Sequence, residues 1–117
     1  MVSEARGRWR AAFVVPGTAA LNKGGNAEVL SVSCPSAGNC GAGGYYANGL
    51  ARTQPFVVSQ VNGAWHKAVQ VQGAAAPNKA GFASVITMSC ASAGNCSVGG
   101  HYTGKNGYMQ AFVVSES

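Results

Sequence analysis

The eight residues SCPSAGNC at 33–40 return as SCASAGNC at 89–96, and that echo decides how the rest of the chain divides. Shifting the sequence by 56 positions lays residues 1–61 on 57–117 without a gap, with 29 identities among the 61 pairs. Trp9 falls on Trp65, Cys34 on Cys90, Cys40 on Cys96, and Phe56-Val57-Val58-Ser59 on Phe112-Val113-Val114-Ser115. The chain is therefore written as two copies of one unit. A repeat of this order of length is the mark of solenoids, propellers and arrays.

Within the unit every signal is strand or turn. AEVLSVSC (27–34) alternates Val29-Ser31-Ser33 against Leu30-Val32-Cys34, a period of two that predicts a strand. The turn PSAGN leads into a second strand, CGAGGYY (40–46), and the β-branched run PFVVSQV (55–61) supplies a third. Asn62-Gly63 is a hairpin signal, because a two-residue type I′ turn needs positive φ twice. AWHKAVQV (64–71) then reads as the fourth strand. Nothing in the unit has the pattern of an amphipathic helix flanked by caps. The connections GTAALNKGGN (17–26) and GAAAPNKAGF (73–82) carry a fourth strand to the next first one.

Four antiparallel strands, a Trp opening the last, Gly-rich turns and this period fit a propeller blade. Apolar side chains are expected on both faces, Leu30 and Val32 on one and Val29 on the other, as in a sheet held between two neighbours. The expected fold is all-β, with two four-stranded antiparallel β-propeller blades per chain and a propeller completed by oligomerisation. Within the two tandem repeats of 1–117, residues 1–25 supply an outer strand for a neighbouring blade plus a linker. Residues 26–72 form the first blade, and 82–117 an incomplete second blade.

The pattern also resembles tandem units of secreted bacterial proteins of unknown function, W-x-x-A…PG…S-C-x-S-x-G-x-C…G-G-Y…Q-A-F-V-V-S-E…G-x-W. Trp9, Ala12, Pro16-Gly17, Ser33 to Cys40, Gly43-Gly44-Tyr45 and Phe56 to Ser59 meet it, and the second unit adds Gln110 to Glu116. The likeness runs the length of the chain. It implies β-propeller blades, with lectin-like propellers as the nearest analogy, and no activity. Gln72 stands where the first unit has Pro16, a departure confined to the exit from a strand.

Cys34 closes one strand and Cys40 opens the next, so a tight hairpin brings their Cβ atoms within bridging reach; Cys90 and Cys96 repeat this. Zinc favours closer cysteine spacings with histidine partners, and His66 and His101 hold non-equivalent places in the repeat. Cys34–Cys40 and Cys90–Cys96 disulfides are expected, hence an oxidising, extracellular setting. No apolar segment of signal-peptide type stands in MVSEARGRW (1–9), and no apolar run is long enough to span a membrane.

Candidate chemistry is sparse. The acids are Glu4, Glu28 and Glu116, with no Asp. Glu4 and Glu116 share one repeat position, so no carboxylate pair flanks a glycosidic bond. No G-x-S-x-G elbow presents a serine nucleophile. Gly41-Ala42-Gly43 lacks the third glycine of a dinucleotide loop and is expected to serve close backbone approach. Neither catalysis nor a cofactor or metal is expected. The net charge is +5, but the cations are scattered beyond Arg6, Arg8 and Arg10, which argues against nucleic acid as partner.

Binding is a second hypothesis. Loops on one propeller face would gather Asn22, Lys23, Tyr46 and Gln54 with their repeat mates Asn78, Lys79, Tyr102 and Gln110. Flat aromatics beside amides and lysines suit neutral sugars, stacking on rings and bonding hydroxyls. A secreted multivalent carbohydrate-binding module is thus the alternative to a structural, self-assembling propeller segment. Propellers need about four to eight blades to close, so two units are expected to join other copies head to tail. Residues 8–15 of one copy would complete the blade at 82–116 of the next, in rings of three chains, with four the next choice.

Overall fold

The computed structural model describes residues 2, 4–5, 7–9, 11–23, 25–47, 52–71, 82–103 and 108–116. A short hairpin of β1 (Glu4–Ala5) and β2 (Arg8–Trp9) opens the chain, followed by one helical turn, α1 (Thr18–Leu21). The first large sheet holds β3 (Ala27–Ser36), β4 (Asn39–Ala47), β5 (Thr53–Val61), β6 (Ala64–Trp65) and β7 (Val69–Gln70). The second holds β8 (Ala83–Ser92), β9 (Asn95–Thr103) and β10 (Met109–Ser115). Every pairing is antiparallel. Among the described residues no helix is long and apolar enough to cross a membrane.

The expected all-β class and strand order are present. The turn between the cysteines is shorter than expected: β3 runs to Ser36 and β4 begins at Asn39. Asn62 and Gly63 have φ of +50° and +86°, the two positive values a type I′ turn requires. The fourth strand comes in two pieces, both on the outer edge of β5. Between them the Ala68 amide turns away to the Pro16 carbonyl at 2.7 Å. Gly17, at φ +85°, permits that approach, since a Cβ there would stand 2.8 Å from the Ala68 nitrogen. The helical turn after Gly17 was not legible in the sequence; the Thr18 hydroxyl donates to the Val15 carbonyl at 2.7 Å.

The simple alternation of the first strand is corrected by a bulge. Val29 pairs with Gly44 and Ser31 with Gly43, leaving Leu30 as the extra residue. Val29 and Val32 therefore share a face, rather than lying on opposite ones, while Ser31 and Ser33 point the other way. A bulge inserts one residue into one strand only, and the sequence period does not announce it. Its mark is Gly44, whose missing side chain leaves room for the Glu28 carbonyl. Gly100 makes the same allowance for the Ser84 carbonyl, beside a matching shift between Val85 and Thr87.

The two large sheets pack face to face, β8 lying against β3, β4 and β5. Val85 and Val98 of the second sheet are buried with Val71, and Val57, Met88 and Phe112 pack around them. The first sheet meets them with its small side. The Met88 and Cys90 amides donate to Ser31 Oγ and Ser33 Oγ, both at 3.1 Å. Cβ atoms at Gly41 and Gly43 would come within 2.7 Å of Met88 Sδ and Val85 Cγ1. On the opposite face of the first sheet, Ala42, Tyr46, Phe56 and Val58 form a second core with Val15 and Ala68. Each valine or phenylalanine side chain fully buried this way contributes about 1.5–3 kcal/mol.

Candidate functional site

The disulfides come first, because they fix the hairpins on which everything else is mounted. Cys34–Cys40 and Cys90–Cys96 are both formed, with Cα atoms 4.0 Å apart in each. This is the pairing expected from the repeat, with no bridge between units. Disulfides persist in oxidising compartments, so the chain is compatible with an extracellular protein.

The outer edges of the two sheets differ sharply. On β5 the Val71 amide donates to the Pro55 carbonyl at 3.0 Å and the His66 amide to the Ser59 carbonyl at 2.8 Å. At the hairpin tip the Gly63 amide donates to the Gly38 carbonyl at 2.9 Å, and the Asn62 amide to Asn39 Oδ1 at 3.2 Å. Among the described residues no strand lies along the corresponding edge of β10. A Cβ at Gly38 would stand 3.0 Å from the Gly63 nitrogen, whereas one at the equivalent Gly94 would meet nothing within 4 Å.

The first residues of the chain have the shape that edge lacks. Glu4 pairs with Trp9 and Ala5 with Arg8; 56 residues on, Gln60 pairs with Trp65 and Val61 with Ala64. Residues 11–15 that follow lie in no strand, and Trp9 and Val14 are 70% and 75% exposed. Val15 nevertheless enters the first core, beside Phe56 and Ala42, as Val71 enters the second beside Val85 and Val98.

Between the described residues of the first 25 and the Val29–Val32 face of the first sheet lies an open cleft of about 1690 Å³, with Trp9, Phe13, Val32, Cys34, Cys40 and Trp65 on its walls. It is larger than a usual small-molecule pocket, about 300–1,000 Å³. Trp65 Nε1, withdrawn from solvent, finds no acceptor among the described residues. On the outer side of the second sheet Val113 is 84% exposed.

The residues considered for sugar binding are scattered among different tasks. Asn22 Oδ1 accepts the amides of Asn26 and Ala47, at 2.9 and 3.2 Å, and so ties the linker to the end of β4. Lys23 is exposed beside it. Tyr46 and Gln54 are cross-strand partners, both buried, and burial holds the Tyr46 phenol above its usual pKa. Gln70 Nε2 approaches Gln54 Oε1 at 3.4 Å. Tyr102 and Gln110 pair in the same register on the second sheet, where Gln110 is exposed and Tyr102 lies 6.4 Å from Phe112, ring to ring. Asn78 and Lys79 lie outside the described residues. The exposed Tyr45 hydroxyl donates to Glu28 Oε2 at 2.8 Å. Among the described residues no three His, Cys, Asp or Glu gather as a metal-binding set.

At Gly41 and Gly43, expected to serve close backbone approach, it is the Met88 and Val85 side chains of the other sheet that come closest, and Ser31 and Ser33 join them in the contact between sheets. Small residues at alternating positions on neighbouring strands were the available signal, and it resembles an ordinary wet face. Compared with known proteins, the chain matches no family model, no curated protein and no solved structure.

Proposed function

We propose that the chain is a structural, self-assembling repeat, each large sheet acting as one β-propeller blade, with residues 8–15 of one copy serving as the fourth strand of the 82–116 sheet of another. The observation that carries this reading is the edge of β10, along which no described strand lies, together with a segment whose hairpin register repeats that of the strand covering β5. Shifting the covered edge by 56 residues names the new bonds. The Val15 amide donates to the Ala111 carbonyl, the Gly7 amide to the Gly94 carbonyl, and Phe13 and Val14 pair with Val113 and Phe112. An exposed strand edge is a template for another chain, and one head-to-tail contact repeated around an axis closes a ring. Blade number is then even; three chains and six blades are favoured, four chains and eight blades next. The disulfides favour an extracellular scaffold role, and nothing in this arrangement calls for a reaction.

Removing residues 1–15 tests the strand exchange. The truncated chain is expected to lose the defined ring and aggregate through the open edge, measured by light scattering after gel filtration. A truncated chain that keeps the mass of the full one would overturn the reading.

A further inference from the structure

We infer that the Val29–Val32 face of the first sheet is a docking surface for the outer face of the second sheet of another copy, a contact separate from strand exchange. The chain already contains the template. Within one copy, the Val85–Met88 face of the second sheet rests on the Ser31, Ser33, Gly41 and Gly43 face of the first. Moving each partner back or forward by one repeat puts Val29 and Val32 where Val85 and Met88 were. Thr87, Ser89, Ser97 and Gly99 take the places of Ser31, Ser33, Gly41 and Gly43.

The chemistry carries over position by position. Thr87 and Ser89 keep the hydroxyls that accept from the opposite strand, so the Val32 and Cys34 amides of the incoming copy have their acceptors. Gly99 keeps the gap that Val85 fills at Gly43. At Gly99 a Cβ would meet nothing nearer than Thr87 Cγ2 at 3.4 Å, all of it from its own sheet. The gap is open and waiting for Val29. Where the sequence changes, it changes on both sides. Gly41 faces the long Met88, whereas the bulkier Ser97 would face the shorter Val32. One internal bond has no counterpart: Thr53 Oγ1 accepts the Ala83 amide at 3.0 Å, and Met109 stands in the place of Thr53.

The exposures agree. Val32 and Val113 are 57% and 84% exposed in the single chain, while Met88 and Val57, their repeat mates, pack into the core between the sheets. The cleft beside the Val29–Val32 face is where the incoming sheet sits. The docking rests on the head-to-tail reading for closure into a ring, since the copy that donates its strand is also the one that docks.

The two contacts fail separately. Gly99→Ala leaves the single-chain fold undisturbed, because the added methyl meets ordinary packing distances within its own sheet. Against Val29 of another copy it collides as a methyl at Gly43 would with Val85 Cγ1. Self-association followed by sedimentation is expected to weaken about tenfold or more, with unchanged circular dichroism and both disulfides intact. Val29→Ala in the same chain is expected to restore the ring. A ring of unchanged strength in Gly99→Ala would overturn the docking while leaving strand exchange standing. Failure of Val29→Ala to restore it would overturn the pairing of these two faces. Loss of strand exchange is read instead from the truncation of residues 1–15.

Discussion

The two large sheets are nearly the same object in two environments. In the first, Phe56 is 1% exposed and Val58 2%, and the β5 edge is covered. In the second, Phe112 is partly buried, Val114 is 37% exposed, and no described strand lies on the β10 edge. The residues are identical at these positions, so the difference comes from neighbours alone. Val15, Ala68, Leu21 and Trp65 close over Phe56 and Val58, whereas no described fourth strand closes over Phe112 and Val114.

The largest test of that comparison is to cut the same phenylalanine from each sheet. Phe56→Ala should cost about 3–5 kcal/mol, whatever the protein concentration. Phe112→Ala should cost clearly less where chains are single, and approach the Phe56 value where they assemble. Urea unfolding at low and high concentration measures both. Equal costs at every concentration would mean the sheets do not differ as described.

The disulfides give the next contrast. Each closes a loop worth about 2 kcal/mol of unfolded-chain entropy. Cys90–Cys96 also packs against the first sheet, with its sulfurs 3.4 and 3.5 Å from where a Gly41 Cβ would be. Replacing that pair by alanine should cost about 1 kcal/mol more than replacing Cys34 and Cys40, which border the open cleft. Thermal unfolding of the two double variants compares them directly.

A smaller difference is expected at the hairpin asparagines. Asn39 and Asn95 both donate to a neighbouring serine hydroxyl and to a turn carbonyl, but Asn39 also accepts the Asn62 amide. Asn39→Ala should therefore exceed Asn95→Ala by about 1 kcal/mol in the single chain. Assembly, by bringing a second hairpin to Asn95, should remove the gap. Chemical denaturation at two concentrations measures it.

The smallest effect is a titration. Tyr45 keeps its proton above the usual value of 10.0, first because Glu28 accepts its hydrogen bond, then through burial and the carboxylate charge. Its contribution to stability is complete below the ordinary phenol pKa and is lost as pH rises through the raised one. Ultraviolet titration of Glu28→Ala should show one phenol of the four moving down. His101 and Ser84 hold these places in the second repeat, so no such coupling exists there. Unmoved phenols would mean that the Tyr45–Glu28 bond is not maintained in solution.

Much of the fold was legible because the repeat aligns without a gap and its turns carry residues that only certain conformations accept. Asn62-Gly63 and the C-x₅-C hairpins are of this kind. The bulge at Leu30 was not legible, because an inserted residue shifts faces without changing composition. Nor could the sequence separate Tyr46 and Gln54 as core partners from a binding pair, since repetition preserves packing and ligand contacts alike. Asn22 looked like a loop amide open to ligand; its oxygen is instead occupied by two backbone amides. The contact face of Ser31 and Ser33 was hidden because hydroxyls that accept backbone amides and hydroxyls that face water are spelled the same way.

The measurement that bears most directly on all of this is the mass of the full 117-residue chain in solution. Sedimentation equilibrium at micromolar concentration should give a closed species of three times the 11.8 kDa chain mass, or four times as the next choice, without a continuous series of longer polymers. A monodisperse particle of 11.8 kDa under the same conditions would contradict it, because the β10 edge and the Val29–Val32 face would then be stable with no second copy against them.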